Sequence, residues 1–330
     1  MRVLVVKLSS LGDVIHTLPA LGDAAAAVPG LVFDWVVEEG FAEIPAWHSA
    51  VDRVIPVALR RWRKHPLRDF TGPEWRAARK SLREQPYDAV IDAQGLLKSA
   101  LIARLVPAPR YGMDRASARE QLAALAYDHH IPVPRDMHAV ERSRMLFARA
   151  LNYPLPKTLG DYGLDAAVPA AGDRPPGLLF FHGTARAEKQ WPETHWIALA
   201  QLAGEAGYRV WLPWGNDEEL QRAQRIAASG SNTEVLPRMN LQQLAGLLQR
   251  ARGAVAVDTG LGHLAAALAV PAVSLYGPTS TSLVGTYGRN QVHLQSPLVD
   301  GDITDPGILM QAITAAAVWQ ALAAAIGEAA

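Results

Sequence analysis

The stretch AVAVDTGLGHLAAALAVPAVSLYGPT, residues 254–279, predicts the fold class of this chain. Residues 254–257 form a short apolar run that is typical of a buried strand. Residues 261–268 are rich in Ala and Leu and predict a buried helix, and residues 272–276 form a second apolar run. Strand, helix and strand in this order make a β-α-β unit, which indicates an α/β protein.

The turn between the first strand and the helix is a candidate anion site. It consists of Asp258, Thr259 and Gly260, and His263 lies one helical turn further on, at the same end. Thr259 predicts a helix cap, Gly260 allows a ligand to approach the backbone, and the free N–H groups and helix dipole favour phosphate. A capped helix that binds no ligand explains the same residues, so both interpretations stay open.

Composition indicates a folded protein of about two domains. The chain has 330 residues, of which 49% are apolar and 19% are charged, as expected for packed cores rather than disorder. The formal net charge is zero, which gives no indication of a nucleic-acid partner. The absence of cysteine excludes disulfides, thiolate zinc sites and thiol catalysis. We expect neither a signal peptide nor a membrane span, because no apolar run approaches about 18 residues.

The two halves of the chain differ in charge. Residues 154–176 are rich in proline and glycine and predict a linker, so we expect domains at residues 1–165 and 166–330. The first range carries 22 Lys and Arg against 19 Asp and Glu, and the second carries 10 against 13. The formal charges are therefore +3 and −3, and the positive half is suited to an anionic partner.

A loop near the amino terminus also follows a strand. Residues 3–6 predict the strand, and a helix of residues 14–27 follows the loop that contains Gly12 and Asp13. A single glycine is not the dinucleotide fingerprint, which argues against a nicotinamide oxidoreductase. Asp13 is either a carboxylate that stabilises the helix start or a functional group at the carboxyl end of a strand, where open α/β sheets bind ligands.

Residues 60–64, RRWRK, form a dense basic cluster around a tryptophan. Its four cations, Arg60, Arg61, Arg63 and Lys64, repel one another, and no acid lies nearby in sequence. Clusters of this kind bind phosphate or carboxylate groups. A solvated helix start is the alternative interpretation.

Three further features in the sequence have a functional and a structural interpretation. Lys189 lies in a long loop after the strand of residues 178–181, where a phosphate-binding lysine or a solvated one is expected. Glu219 lies at the start of a predicted helix. There its carboxylate either interacts favourably with the positive end of the helix dipole or accepts a hydrogen bond from a ribose hydroxyl. His129 and His130 are adjacent, but no third ligand is in range, so we expect a surface turn and no metal site.

Seven segments carry a resemblance to a known family, and they follow one another over nearly the whole chain. They are KLSSLGDVIHTLPAL (7–21), FDWVVEEGF (33–41), RRWRK (60–64), YDAVIDAQGLLKSA (87–100), the loop leading to KQWPETHW (189–196), LPWG (212–215) and VDTGLGHLAAAL with YGPT (257–279). The chain resembles the ADP-heptose:lipopolysaccharide heptosyltransferases of glycosyltransferase family 9. The DTG-x-x-H segment alone identifies only the wider family. RRWRK and FDWVVEEGF favour the enzymes that add the first heptose over those that add the second.

The resemblance implies a fold and a reaction. The fold is GT-B: two doubly wound Rossmann-like α/β domains that face each other across a cleft, with acceptor bound by residues 1–165 and ADP-heptose by residues 166–330. The reaction is inverting, metal-independent transfer of L-glycero-D-manno-heptose from ADP-heptose to the inner Kdo of Kdo2-lipid A, in lipopolysaccharide inner-core biosynthesis. It implies no cofactor, no metal and no nucleic acid. Because the acceptor is a lipid, it implies peripheral contact with the cytoplasmic face of the inner membrane.

The resemblance also implies roles for individual residues. Asp13 matches the general base, and Lys189 with the helix start at Thr259 matches the groups that stabilise the departing ADP. The positions that match donor contacts are Thr184, Ala185, Lys189, Glu219, Met239, Asp258, Thr259, Gly260 and His263. Ala185 is a departure, because relatives in this family have a second threonine there, and a backbone N–H is the expected substitute. Asp258 is expected on sugar hydroxyls or the loop backbone. The positions that match the acceptor patch are Arg60, Arg61, Arg63 and Lys64, with Arg119 and Arg142 as further members.

Alternatives remain at this stage. A second-heptose transferase or another family 9 enzyme shares most of the segments. A sugar-nucleotide epimerase of the same two-domain shape would not need RRWRK. A nucleotide-sugar binding protein would tolerate the loss of Asp13.

Overall fold

The computed structural model describes residues 1–164, 176–301 and 303–327. Strands are assigned in these ranges as follows: β1 (Arg2–Val6), β2 (Val32–Glu38), β3 (Val51–Val57), β4 (Ala89–Asp92), β5 (Arg110–Met113), β6 (His129–Ile131), β7 (Leu178–Phe181), β8 (Val210–Leu212), β9 (Thr233–Val235), β10 (Gly253–Val257), β11 (Ala272–Tyr276) and β12 (Gln291–Gln295).

Helices cover the faces of the sheets. They are α1 (Leu11–Ile15), α2 (Leu18–Ala27), α3 (Glu43–Ala46), α4 (Leu59–Trp62), α5 (Pro66–Asp69), α6 (Pro73–Ser81), α7 (Leu97–Ala103), α8 (Ala139–Ala150), α9 (Glu193–Glu205), α10 (Asp217–Ala227), α11 (Leu241–Leu248), α12 (Gly260–Ala267), α13 (Thr281–Val284), α14 (Pro306–Gln311) and α15 (Ala315–Ala325). Short 3₁₀ helices occupy Glu39–Phe41, Gln121–Ala126 and Ala187–Lys189.

The strands form two parallel six-stranded sheets with the same topology. The first has the order β3-β2-β1-β4-β5-β6, and the second has the order β9-β8-β7-β10-β11-β12. Each sheet reverses its strand order once, between β1 and β4 and between β7 and β10. Open α/β sheets bind ligands at the carboxyl ends of the strands beside such a switch point. The doubly wound α/β fold predicted from the sequence is therefore confirmed.

The central strands are apolar because helices cover both of their faces. Leu178–Phe181 and Gly253–Val257 are buried along their whole length, as expected for interior parallel strands. In the second sheet the surrounding core includes Trp191 and Trp196, whose rings meet edge to face with centroids 4.9 Å apart.

The chain divides into two units, Met1–Ala167 and Val168–Ala330. The sequence predicts a linker at residues 154–176 and a domain boundary between residues 165 and 166. Part of the linker and this boundary fall on residues 165–175, which lie outside the described residues. The domain boundary and the assignment of acceptor and donor to separate domains therefore stay predictions.

Several predicted elements were wrong in detail. The single helix expected at residues 14–27 is two helices, because Pro19 lacks an N–H and lies in the first turn of α2. The sequence of residues 306–325 predicts one long helix, but it forms two, and Thr314 begins α15 by accepting a hydrogen bond from the N–H of Ala317 at 3.3 Å. The sequence of residues 116–127 also predicts a helix, but only the 3₁₀ helix Gln121–Ala126 forms there.

Two edge strands differ from the sequence interpretation. His129 and His130 lie on β6 and not in a surface turn. His129 stacks on Tyr111 with ring centroids 4.4 Å apart, and His130 Nε2 lies 2.8 Å from the carbonyl oxygen of Ala124. Strand β12 was not predicted, because its sequence, QVHLQ, is largely polar and it lies at the edge of the sheet.

Candidate functional site

In the first unit, the loops after β1 and β4 lie side by side because their strands are neighbours at the switch point. The Asp92 carboxylate accepts hydrogen bonds from the N–H groups of Gln94 and Gly95, at 2.9 and 3.1 Å. The Gln94 side-chain oxygen in turn accepts from the N–H groups of Leu8 and Ser9, at 3.0 and 3.1 Å. The loop that leads to Asp13 is therefore held by the buried side chain of Gln94, which follows the neighbouring strand β4.

Asp13 lies in the first turn of α1. This position is compatible with both predicted roles, a carboxylate that stabilises the helix start and a functional group. Its Oδ2 accepts hydrogen bonds from the Ser10 N–H at 2.8 Å and the Ser10 hydroxyl at 2.9 Å. Burial acts to raise the pKa of Asp13, but Lys7, the Ser10 hydrogen bonds and Arg119 outweigh it, so the pKa lies below its ordinary value. Asp13 is therefore a carboxylate at neutral pH.

Lys7 is a buried member of this site that the sequence interpretation did not include. It follows β1, and its Nζ donates a hydrogen bond to the Ala93 carbonyl oxygen at 2.9 Å. Burial lowers its pKa, and the negative charges of Asp13 and Asp92 act in the opposite direction. The sequence signal that could have identified Lys7 is its position, because a lysine directly after a buried apolar strand is unusual.

The basic cluster does not act as four equivalent cations. The Arg61 guanidinium hydrogen-bonds to both carboxylate oxygens of Glu39, at 3.3 and 3.1 Å, and forms an ion pair with Glu74 at 2.9 Å. These hydrogen bonds, first with Glu39 and then with Glu74, raise the pKa of Arg61. The expectation that no acid offsets the cluster was wrong, because the fold brings Glu39 and Glu74 to Arg61 from other elements.

The other three cations of the cluster lie at the surface. The Arg60 guanidinium packs over the ring of Phe41, with Cζ 5.4 Å from the centroid, and the Arg60 backbone N–H donates to the Glu38 carboxylate at 3.2 Å. Within the described ranges, neither Arg63 nor Lys64 lies within ion-pair distance of a carboxylate. Their charges are therefore accessible to an anionic ligand.

Lys98, a second lysine that the sequence interpretation omitted, connects the basic cluster with the loop before Asp13. Its Nζ donates to the Ser9 hydroxyl at 3.3 Å. Burial lowers the pKa of Lys98; the carboxylates of Glu38 and Glu120 oppose this, whereas Arg60 and Arg63 add to it.

Arg119 and Arg142 approach this region from different elements. Both positive charges contribute to the lowered pKa of Lys7. Arg142 lies on α8, and its Nη2 donates to the Ser117 carbonyl oxygen at 2.7 Å, so part of its guanidinium is used inside the unit. Burial and the nearby charge of Arg135 lower the pKa of Arg142. Arg119 precedes the 3₁₀ helix and does not lie within a helix as expected.

In the second unit, Lys189 and Asp258 join the loops that follow β7 and β10. The Lys189 ammonium forms an ion pair with the Asp258 carboxylate, and the Thr184 hydroxyl donates to the Asp258 carbonyl oxygen at 3.3 Å. Two residues after Lys189, Trp191 Nε1 donates to the Ile313 carbonyl oxygen at 2.8 Å and anchors the loop. The Asp258 carboxylate is thus held by Lys189, and its expected contact with sugar hydroxyls or the loop backbone stays a prediction.

The turn before α12 has the predicted position but not the predicted cap. Helix α12 begins at Gly260, and Thr259 precedes it in an extended conformation with φ −146° and ψ 158°. The Thr259 side chain makes no capping hydrogen bond, so the expected cap was wrong. Its hydroxyl and the N–H groups of the first turn are the groups that the sequence assigned to an anion site, and that assignment stays a prediction. His263 is buried within α12.

The remaining predicted donor residues lie at the carboxyl edge of the same sheet. Glu219 lies in the first turn of α10, and its carboxylate accepts from the Gly215 N–H at 2.7 Å. A Cβ added at Gly183 would lie 2.5 Å from the Glu219 Cδ, so glycine permits this close approach. Met239 is half-buried between β9 and α11, and Ala185 is exposed in the loop after β7.

Residues 1–164, 176–301 and 303–327 contain no group of three or more His, Cys, Asp or Glu side chains placed to hold a metal ion. In the same ranges, no helix combines the length and the apolar character needed to cross a membrane.

Comparison with known proteins identifies the family to which this fold belongs. The profile of glycosyltransferase family 9 (heptosyltransferase) matches residues 75–301. Lipopolysaccharide heptosyltransferase 1 of Pseudomonas aeruginosa is 59% identical over 298 residues, covering 90% of this chain and 84% of the relative. The protein of the same name from Escherichia coli is 50% identical over 300 residues, covering 90% and 94%. The solved structure of E. coli heptosyltransferase WaaC with ADP superposes with a TM-score of 0.91 at 47% identity, covering 98% of this chain and 100% of that one.

The two doubly wound units and these similarities define the fold class as GT-B. The chain belongs to glycosyltransferase family 9, the heptosyltransferases. The resemblance inferred from the sequence is confirmed, and with it the assignment as a glycosyltransferase. Membership of this family separates the chain from nicotinamide oxidoreductases, epimerases and non-catalytic binding proteins.

Proposed function

We propose that this enzyme transfers L-glycero-D-manno-heptose from ADP-heptose to the inner Kdo of Kdo2-lipid A. The observation that carries the proposal is the geometry of Asp13, an ionised carboxylate held at the switch point of the first sheet. Relatives that are 59% and 50% identical are named lipopolysaccharide heptosyltransferase 1, and the similar solved structures include WaaC with ADP and with ADP-2-deoxy-2-fluoro heptose.

Asp13 acts as the general base that removes the proton from the acceptor hydroxyl. In the described part of the chain both Ser10 hydrogen bonds end on Oδ2, so Oδ1 is the oxygen that takes the proton. The nearby charge of Lys7 keeps the carboxylate ionised. A positioned general base typically contributes about 10²–10⁴-fold to the rate.

Lys189 and the start of α12 stabilise the negative charge that develops on departing ADP. A lysine held by Asp258 is already in place, so it needs little reorganisation as the bond to the sugar breaks. The Thr259 hydroxyl and the N–H groups at Gly260 supply further donors. These groups supply the stabilisation that a metal ion gives in other enzymes, and attack from the opposite face inverts the anomeric carbon.

The basic cluster binds the anionic groups of the acceptor. Arg60, Arg63 and Lys64 supply most of this attraction, and Arg61 supplies less because Glu39 and Glu74 offset its charge. Because the acceptor is a membrane lipid, we place the enzyme peripherally on the cytoplasmic face of the inner membrane, where the same cations attract anionic lipid.

The test is transfer from ADP-heptose to Kdo2-lipid A, with Asp13→Asn beside wild type. We expect product with wild type and at least a 10²-fold loss of kcat in the variant, with ADP-heptose binding retained. Asp52→Asn is the matched control, because Asp52 is an exposed carboxylate of the same unit that pairs with Arg2. Product only on an acceptor that already carries one heptose would assign the second-heptose reaction, and full activity of Asp13→Asn would remove the proposed base.

Two details of the mechanism have separate tests. We expect the transferred heptose to have the anomeric configuration opposite to that of the donor, measured by NMR of the product. We also expect kcat to be unchanged after treatment with EDTA. If EDTA lowers kcat and a divalent cation restores it, metal-independent transfer would be contradicted.

A further inference from the structure

A cavity of about 340 Å³ lies in the first unit, outside the groups assigned to catalysis. Most of its lining is apolar and comes from α4, the segment between α5 and α6, α6 itself, and α7 with the residues after it. The apolar lining residues are Leu59, Phe70, Trp75, Leu101, Ile102 and Leu105. Its volume is within the usual range for ligand pockets, about 300–1,000 Å³.

One wall of the cavity is braced by aromatic packing. The rings of Trp62, Phe70 and Trp75 meet edge to face, with pairwise centroid distances of 6.0, 5.7 and 5.3 Å. Trp62 Nε1 also donates to the Glu74 carboxylate at 2.8 Å. These contacts hold the wall in place, so an apolar ligand would enter a preformed cavity.

Two cations complete the lining. Arg63 and Lys98 are its charged members, and in the described ranges no carboxylate lines the cavity with them. Arg63 belongs to the basic cluster, and Lys98 reaches the Ser9 hydroxyl, at 3.3 Å, in the loop that leads to Asp13. The cavity therefore combines an apolar interior with positive charges that continue toward the candidate catalytic carboxylate.

We propose that this cavity holds one acyl chain of the acceptor lipid while Arg63 and Lys98 hold an anionic group at its head. The cavity is complementary to an amphiphile. A saturated chain would pack against its leucine and aromatic side chains, and a phosphate would bind its two cations. Leu101 lines the cavity and is 64% exposed, so its side chain is accessible to a hydrocarbon chain. The proposal rests on the proposed function, because it takes Kdo2-lipid A as the acceptor.

The first experiment compares transfer to Kdo2-lipid A with transfer to the same acceptor after removal of its acyl chains. Leu101→Gln should lower kcat/KM for the acylated acceptor by about tenfold and leave the deacylated acceptor within twofold of wild type. Leu125→Gln is the matched control, because Leu125 is 75% exposed in the same unit but does not line the cavity. An equal loss on both acceptors, or no loss on either, would overturn the proposal.

The second experiment measures binding without transfer, so that failure of the proposed function is recognised separately. Decyl phosphate and butyl phosphate are titrated into the full chain by calorimetry, both as monomers. We expect decyl phosphate to bind at least tenfold more tightly than butyl phosphate, and Leu101→Gln to remove most of that preference. If wild type fails to transfer heptose to either acceptor but keeps this chain-length preference, the proposed function fails and the chain site stands. Equal affinities for both phosphates would overturn the chain site.

A membrane-attachment role would give a different result. If Leu101→Gln weakened binding to anionic phospholipid vesicles free of acceptor as strongly as it weakened transfer, the cavity would serve the membrane and not the acceptor, and the proposal would be wrong.

Discussion

The ammonium of Lys189 forms an ion pair with the carboxylate of Asp258, and this contact joins the loops that follow β7 and β10 at the switch point of the second sheet. The Thr184 hydroxyl donates to the carbonyl oxygen of the same aspartate, at 3.3 Å. A cation that the protein itself holds in position stabilises developing negative charge without first reorganising.

Replacing Lys189 by glutamine should lower kcat by about 10²–10³-fold, the cost typical of removing one preorganised donor to a developing anion. Arg186→Gln is the matched control, because Arg186 lies in the same loop and pairs only with Glu188 in the described ranges. Steady-state kinetics with saturating ADP-heptose measures the effect. A rise in the donor KM with unchanged kcat would assign Lys189 to ground-state binding instead.

Replacing Lys7 by methionine should move the acid limb of the pH profile to higher pH. Lys7 is the largest of the influences that lower the pKa of Asp13, so its removal raises that pKa. The base must be ionised, so kcat/KM is constant above the pKa and falls about tenfold per pH unit below it. Wild type should therefore keep its rate to lower pH than Lys7→Met.

Lys98→Met is the control for this shift, because Lys98 lies near the same loop but is not among the principal influences on Asp13. A profile of Lys7→Met that superposes on that of wild type after scaling would show that Lys7 does not set the ionisation of the base.

Arg63→Gln should raise the acceptor KM about tenfold, whereas Arg61→Gln should change it by less than twofold. Arg61 is offset by Glu39 and Glu74, and Arg63 has no carboxylate within ion-pair distance in the described ranges. A charge-assisted hydrogen bond to phosphate is typically worth about 1.5–3 kcal/mol, which sets the size expected for Arg63. Equal effects of the two variants would show that the ion pairs of Arg61 open when the acceptor binds.

Gly183→Ala should weaken ADP-heptose binding about tenfold with little change in the melting temperature. Its Cβ would lie 2.5 Å from the Glu219 Cδ, and a flexible carboxylate moves aside more readily than the backbone. The displaced Glu219 would lose its hydrogen bond from the Gly215 N–H, now 2.7 Å long. Isothermal titration with the donor measures the effect.

A double-mutant cycle tests the cause. If Gly183→Ala acts through Glu219, the double variant with Glu219→Ala should bind donor no more weakly than Glu219→Ala alone. Gly215→Ala is the steric control, because its Cβ would lie at an ordinary contact distance, 3.4 Å, from the Glu219 Oε2. Additive losses would show that the Gly183 effect is independent of Glu219.

Sequence pattern alone predicted the strands nearest the switch points and the positions of the candidate residues after them. The runs that became β7 and β11 were predicted with the observed bounds, because a strand covered on both faces is continuously apolar. Asp13, Lys189 and Asp258 each follow such a run, so their location at a carboxyl edge followed from the parallel fold. The resemblance of seven segments to family 9 was also visible without coordinates.

Contacts between residues distant in sequence were decided only by the tertiary structure. Arg61 meets Glu39, 22 positions away, and Glu74, 13 positions away, so a cluster that looked uncompensated in the sequence is partly neutralised. The buried Lys7 ammonium donates to the carbonyl oxygen of Ala93, which follows β4 and lies 86 positions later in the chain. The sequence determined which residue types lie at the ends of the strands, because burial and periodicity are local properties. Charge compensation, pKa and cavity shape were decided by the fold, because they depend on distances that local pattern does not contain.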